Sequence, residues 1–143
     1  VGSEMCIRDR CSCDQCRQIS GSAFASNLFV RIDGFDWQDG AGDIVSYKVP
    51  ERDISKSFCR VCGSGVPYAN SDSTKMVVPA GSLSDPVHVI KRIRIFASEQ
   101  PSWASDLEHV STYAKFPVSL ESEAMEAMSL QPDDSTTIRS DRS

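Results

Sequence analysis

The sequence lacks the features that mark several large functional classes. No apolar run approaches the roughly 18 to 20 residues that cross a bilayer. The longest apolar stretches, such as Met76 to Ala80, have strand length only, so no membrane span is expected. There are two histidines, His88 and His109, and neither stands at metal-motif spacing; a surface or hydrogen-bonding role is expected for His88. No phosphate-cradling glycine loop, nucleophile–base motif or carboxylate pair can be picked out. A dense basic stripe is also missing. Lys91, Arg92 and Arg94 form the only basic cluster, and alternation puts Arg92 and Arg94 on one face of a strand, as on a solvated sheet edge. Nucleic-acid binding is therefore not expected.

What is present is ordinary for one soluble globular domain: 143 residues, 40% hydrophobic and 24% charged. The net charge of −5 is unevenly placed. From Glu121 to Ser143 there are six acids and two arginines, whereas Cys11 to Leu120 holds twelve acids and eleven bases. The body is nearly neutral and the tail is acidic. Residues 1–10, V-G-S-E-M-C-I-R-D-R, carry no apolar h-region. Met5 to Asp9 back-translate as ATG-TGT-ATA-AGA-GAC, which matches the end of a transposon sequencing adapter. We expect this stretch to be adapter-derived, to lie outside the fold, and to leave Cys6 without a role as a ligand.

The other five cysteines fall in two tight clusters, C-S-C-D-Q-C (Cys11, Cys13, Cys16) and F-C-R-V-C-G (Cys59, Cys62). Disulfide frameworks spread their cysteines along a small secreted chain, and no secretory signal is seen here, so a reducing, cytoplasmic setting is expected. Thiols at C-x-C and C-x-x-C spacing suit a metal. Two sulfurs three positions apart converge on one Zn²⁺ at about 2.3 Å through a tight turn. Gly63, directly after Cys62, supplies the positive φ that such a knuckle uses. Spacing alone pairs Cys13 and Cys16 with Cys59 and Cys62 as one closed four-thiolate zinc site, with Cys11 spare. That arrangement would serve a non-catalytic, zinc-stabilised binding module.

The pattern between and after the clusters predicts an all-β domain of small packed antiparallel sheets with little helix. Gln15 to Ser20 predicts one helical turn ended by Gly21. Strands are expected over Phe24 to Ile32, Asp43 to Val49, Met76 to Ala80 and Lys91 to Ala97. Ile54 to Cys59 and Gly65 to Asn70 should flank the knuckle as a hairpin. Trp103 and Tyr113 are expected as core anchors. The domain should end near residue 118. Ser119 to Leu130 then predicts a short helix capped by Ser119, followed by a disordered polar tail.

C-S-C-D-Q-C-R-Q-I-S-G-S-A-F, then F-C-R-V-C-G-S, G-S-L-S-D-P and S-E-Q-P-S-W together resemble the glutathione-dependent formaldehyde-activating enzyme and centromere protein V family. The resemblance runs from about Cys11 to Pro117. It implies an Mss4-like all-β fold, two zinc ions and carbon–sulfur lyase activity. Cys11, Cys13 and Cys16 match the family's open, catalytic three-cysteine site. Cys59 and Cys62 match half of its closed structural site, whose other half, C-x-C-G, is not in this sequence. The resemblance therefore also implies that the first strands are missing and the structural site is incomplete. Ser12 stands where the family often has His, a departure at a position not expected to be a ligand. Three thiolates leave a fourth tetrahedral position in which glutathione could bind as a thiolate, attack formaldehyde and give S-hydroxymethylglutathione. Because three thiolates also weaken the metal as a Lewis acid, modest catalysis is expected. Ser22 and Phe24 are candidates to line the thiol pocket, with core packing the alternative for Phe24. No oligomeric state is implied.

Overall fold

Runs of β-branched and aromatic residues between glycine- and proline-rich turns put most of this chain into strands. The computed structural model describes residues 6–129. It divides the chain into two compact units, Val1–Leu107 and Glu108–Ser143. In the first unit the strands are β1 (Ile7–Cys11), β2 (Ala25–Arg31), β3 (Ile44–Lys48), β4 (Ser55–Cys59), β5 (Gly65–Val66), β6 (Tyr68–Ala69), β7 (Lys75–Pro79) and β8 (Lys91–Ile95). Helix α1 (Asp14–Ser20) lies between β1 and β2. The mostly β architecture expected from the sequence is the one observed.

The strands form a five-stranded sheet in the order β6-β7-β2-β1-β8 and a three-stranded sheet in the order β3-β4-β5. Every pairing is antiparallel except β1 with β8. β2 sits at the centre of the larger sheet with both faces covered, which is why its burial does not follow a simple alternation. The register sets Leu28 beside Val78 and Val30 beside Met76. These four residues and Cys6 form the core of one face, covered by Phe35, Leu83, Val87 and Val89 among others. Burying a side chain such as Val78, 1% exposed, contributes about 1.5–3 kcal/mol. The opposite face holds Cys11 and Ala25, joined by Cys13, Cys16 and the half-buried Ile95.

Three features differ from expectation. Ile7 to Arg10, set aside as adapter-derived, form most of β1 and pair in register with both β2 and β8. Cys6 is completely buried in the apolar core, and its carbonyl accepts the Ile90 N–H at 3.0 Å. An alternating I-R-D-R-C run between two available strand edges satisfies its backbone groups by pairing. The second difference is in Gly65 to Asn70, expected as one arm of a hairpin. Pro67 has no N–H for a ladder, so the run breaks into β5, which pairs with β4, and β6, which pairs with β7 in the other sheet. Third, Trp103 and Tyr113 are exposed (56% and 46%) and do not anchor the core.

In the second unit, α2 (Leu120–Ser129) is the expected short helix. The Ser122 N–H donates to Ser119 Oγ at 3.3 Å, and Glu121 and Glu123 occupy the first turn, where carboxylates favour the helix dipole. The Tyr113 hydroxyl donates to Glu123, a polar partner that suits its exposed position. The tail expected to be disordered, after Leu130, lies outside the described residues.

Candidate metal centre

Cys11 is the last residue of β1, and its side chain leaves the sheet on the face opposite the apolar core. The chain then turns into α1. The Ser12 N–H donates to the Ile95 carbonyl at 3.2 Å, which holds the turn against the end of β8. Cys13 is the N-cap of α1, with extended φ and ψ of −60° and 152°, and its Sγ accepts the Cys16 N–H at 3.4 Å. A cysteine thus fills the role usually taken by Ser or Asp, and the first turn of the helix aims an N–H at sulfur. Cys16 lies one turn on and faces inward. Gly21 ends the helix in the left-handed region (φ 63°), with its N–H on the Arg17 carbonyl at 2.8 Å. Glu99 braces the other end by accepting the Asp14 N–H at 3.0 Å.

The three sulfurs lie within 4.8 Å of one another. All three residues are buried, and each thiol is free. Burial, reinforced for Cys16 by the sulfurs of Cys11 and Cys13, pushes the Cys16 thiol far up from its ordinary value. Burial pushes the Cys11 thiol up as well. Crowding three thiols in a dry site opposes their ionisation unless a cation shares it. No Lys, Arg or His lines the adjoining cavity to supply that charge. The arrangement therefore fits a soft divalent metal, with three sulfurs as ligands and the cavity beside them. Among the described residues it is the one group of three or more Cys, His, Asp or Glu placed to hold an ion.

Cys59 and Cys62 stand apart from it. They bracket a turn at the end of β4, closed by the Cys59 N–H on the Ser64 carbonyl (2.9 Å) and the Gly63 N–H on the Cys59 carbonyl (2.7 Å). Gly63 takes φ 74°, as a knuckle requires. Cys62 is exposed, and its thiol is held below the ordinary value by the Ser64 side chain and backbone, then by Cys59. The closed site over Cys13, Cys16, Cys59 and Cys62 is not formed, and Cys11 is not spare. Among the described residues of the first unit, His88 joins neither cluster.

The cavity next to the triad measures about 250 Å³. Its wall includes Asp9, Asn27, Phe29, Tyr68 and Phe96, none of which was singled out from the sequence. The first four come from strands that meet only through long-range pairing, and no local motif marks them. Asp9, 1% exposed, accepts the Asn27 backbone N–H (3.0 Å) and side-chain amide (3.2 Å) on one oxygen. Burial outweighs these bonds and raises its carboxyl above the ordinary value. Ser22 and Phe24, expected beside the sulfurs, lie elsewhere. Ser22 is exposed in the turn after α1, and Phe24 packs its ring under the Arg10 guanidinium at 4.8 Å. Neither is part of the cavity wall.

Comparison with known proteins agrees with this geometry at the level of the family. No curated protein and no solved structure matches the chain. The model of the glutathione-dependent formaldehyde-activating enzyme family matches residues 3–99, a span that contains the triad, the cavity wall and the Cys59–Cys62 turn. With more than half of its length matched and a three-cysteine cluster able to hold a metal, this chain belongs to the glutathione-dependent formaldehyde-activating enzyme family.

Proposed function

We propose that this protein binds zinc through Cys11, Cys13 and Cys16 and makes or breaks the carbon–sulfur bond of a thiol–aldehyde adduct, S-hydroxymethylglutathione being the representative substrate. The observation that carries this reading is the convergence of three buried sulfurs beside a cavity of about 250 Å³. Zinc held there would lower the pKa of an incoming thiol and keep it as a nucleophilic thiolate. The chain does the rest. Cys13 fixes the start of α1, so that Cys11 and Cys16 are presented together, and the Cys16 N–H steadies the negative charge on Cys13 Sγ. Phe29, Val77 and Ile95 keep the inner wall apolar, which strengthens the charges at the sulfurs. Family membership supports glutathione as the thiol.

Cys59 and Cys62 are read as half of a second, structural zinc site, in line with their knuckle geometry. The free thiols suit a cytoplasmic, reducing setting.

The test combines metal analysis with exchange spectroscopy. Zinc-loaded protein should bind glutathione and accelerate exchange between isotope-labelled formaldehyde and its glutathione adduct, and Cys11→Ser should lose both properties. Zinc bound without any glutathione affinity would leave the triad a structural site and the protein a binding module.

A further inference from the structure

Tyr68 supplies the cavity with a polar group that the three sulfurs do not account for. It lies on β6 opposite Val77, so its ring reaches the same cavity as Cys11, Cys13 and Cys16. The ring is held in place by the Lys56 ammonium, 5.1 Å from its centroid. Two other polar groups of the wall are committed, since the Asn27 amide donates to Asp9 and the Ser71 hydroxyl lowers the Asp53 carboxyl by hydrogen bonding to it, which leaves the Ser55 hydroxyl as the competing donor. The Tyr68 hydroxyl makes no hydrogen bond to the described residues, yet no buried side-chain oxygen among them is sealed without a partner. That hydroxyl is therefore accessible, on a residue that lines the cavity. Burial pushes the phenol further up from a value already well above neutral, so it remains a donor.

Adduct chemistry needs a donor at this place. When a thiolate attacks an aldehyde, the sulfur–carbon bond forms and the carbonyl π pair moves onto oxygen, which then takes a proton from solvent. In the reverse direction the hydroxyl loses that proton, the carbonyl reforms and the sulfur leaves with the bonding pair. Either way the negative charge passes through the oxygen one bond from the carbon that meets sulfur. We propose that Tyr68 is a catalytic residue, its hydroxyl donating a hydrogen bond to the adduct oxygen while Tyr68 itself stays protonated. This inference rests on the thiol–aldehyde reading above.

Tyr68→Phe tests it, because the ring, its packing and the Lys56 contact are kept. Zinc content and melting temperature should match the parent, as should the affinity for glutathione alone. The rate of adduct exchange should fall by about 100-fold, the effect of removing one oxyanion donor. An equilibrium measurement on the same proteins is independent of turnover. The parent should bind S-acetylglutathione, whose oxygen is on the carbon that meets sulfur, more tightly than S-ethylglutathione, and Tyr68→Phe should bind the two alike. Unchanged exchange and unchanged discrimination in Tyr68→Phe would overturn the assignment, as would a loss carried by Ser55→Ala and not by Tyr68→Phe. If the parent neither binds glutathione nor accelerates exchange, the thiol–aldehyde reading fails, and the role of Tyr68 fails with it.

Discussion

The two cysteine clusters share the C-x-x-C spacing and differ in nearly everything else. Cys13 and Cys16 are buried, capped onto a helix and joined by Cys11 from the end of a central strand. Cys59 and Cys62 sit on an outward turn of the smaller sheet with no third ligand nearby among the described residues. Burial pushes Cys11 and Cys16 up, whereas hydrogen bonds from Ser64 hold Cys62 down. Spacing thus places two sulfurs within reach of one ion, and the surroundings decide what the pair can do. A buried triad makes a metal the means of ionising its thiols; the exposed Cys62 is ionised more readily and stays open to reagents and further ligands.

The largest expected effect is on metal affinity. Cys16→Ser should weaken zinc at the triad by well over about 100-fold, since a three-sulfur site becomes a two-sulfur site, and Cys62→Ser should leave that site unchanged. Competition against a chromophoric chelator measures both, and equal losses would erase the distinction between the clusters. Acidity should act on the triad in the same sense. The Cys11 and Cys16 thiols are raised in the metal-free protein, so zinc must displace protons that are still bound near neutral pH. The apparent affinity should fall as pH is lowered, by about tenfold per pH unit for each proton released. A flat profile would mean that the thiols were already ionised.

Alkylation should separate the clusters kinetically. In metal-free protein near neutral pH, iodoacetamide should modify Cys62 at least about tenfold faster than Cys16, following thiolate fraction and access, as peptide mass spectrometry would report. Cys16 reacting first would contradict the burial difference. Gly21→Ala and Gly63→Ala should give the smallest effects. Both positions have positive φ and no atom within 4 Å of an added Cβ, so the cost is backbone strain alone, about 1–2 kcal/mol in denaturant unfolding. The Gly21 change should also slow zinc uptake at the triad, because this glycine closes the helix that carries Cys16, whereas the Gly63 change should not.

The sequence made the triad legible because C-x-C-x-x-C is a local pattern, as is the αL cap at Gly21. β2, β4, β7 and β8 were legible for a similar reason, since their side-chain patterns stand between clear turn residues. What escaped depended on pairing across the chain. β1 is defined by its register with β2 and β8, and residues 7–10 gave no reason of their own to be kept. Pro67 marked a break in one strand but not that the next residue would cross to the other sheet. Asp9, Asn27 and Tyr68 become cavity residues only once β1, β2, β7 and β6 lie side by side. Phe24 was placed near the sulfurs by its closeness in sequence, and its ring found the Arg10 side chain instead.

The most direct test of the triad as an open, thiol-binding metal site is cobalt substitution. Cobalt(II) bound by Cys11, Cys13 and Cys16 should show sulfur-to-metal charge-transfer absorption, and the intensity should rise when glutathione is added, as a further sulfur joins the metal. A spectrum already at the intensity of a closed four-sulfur site and unmoved by glutathione would contradict the account.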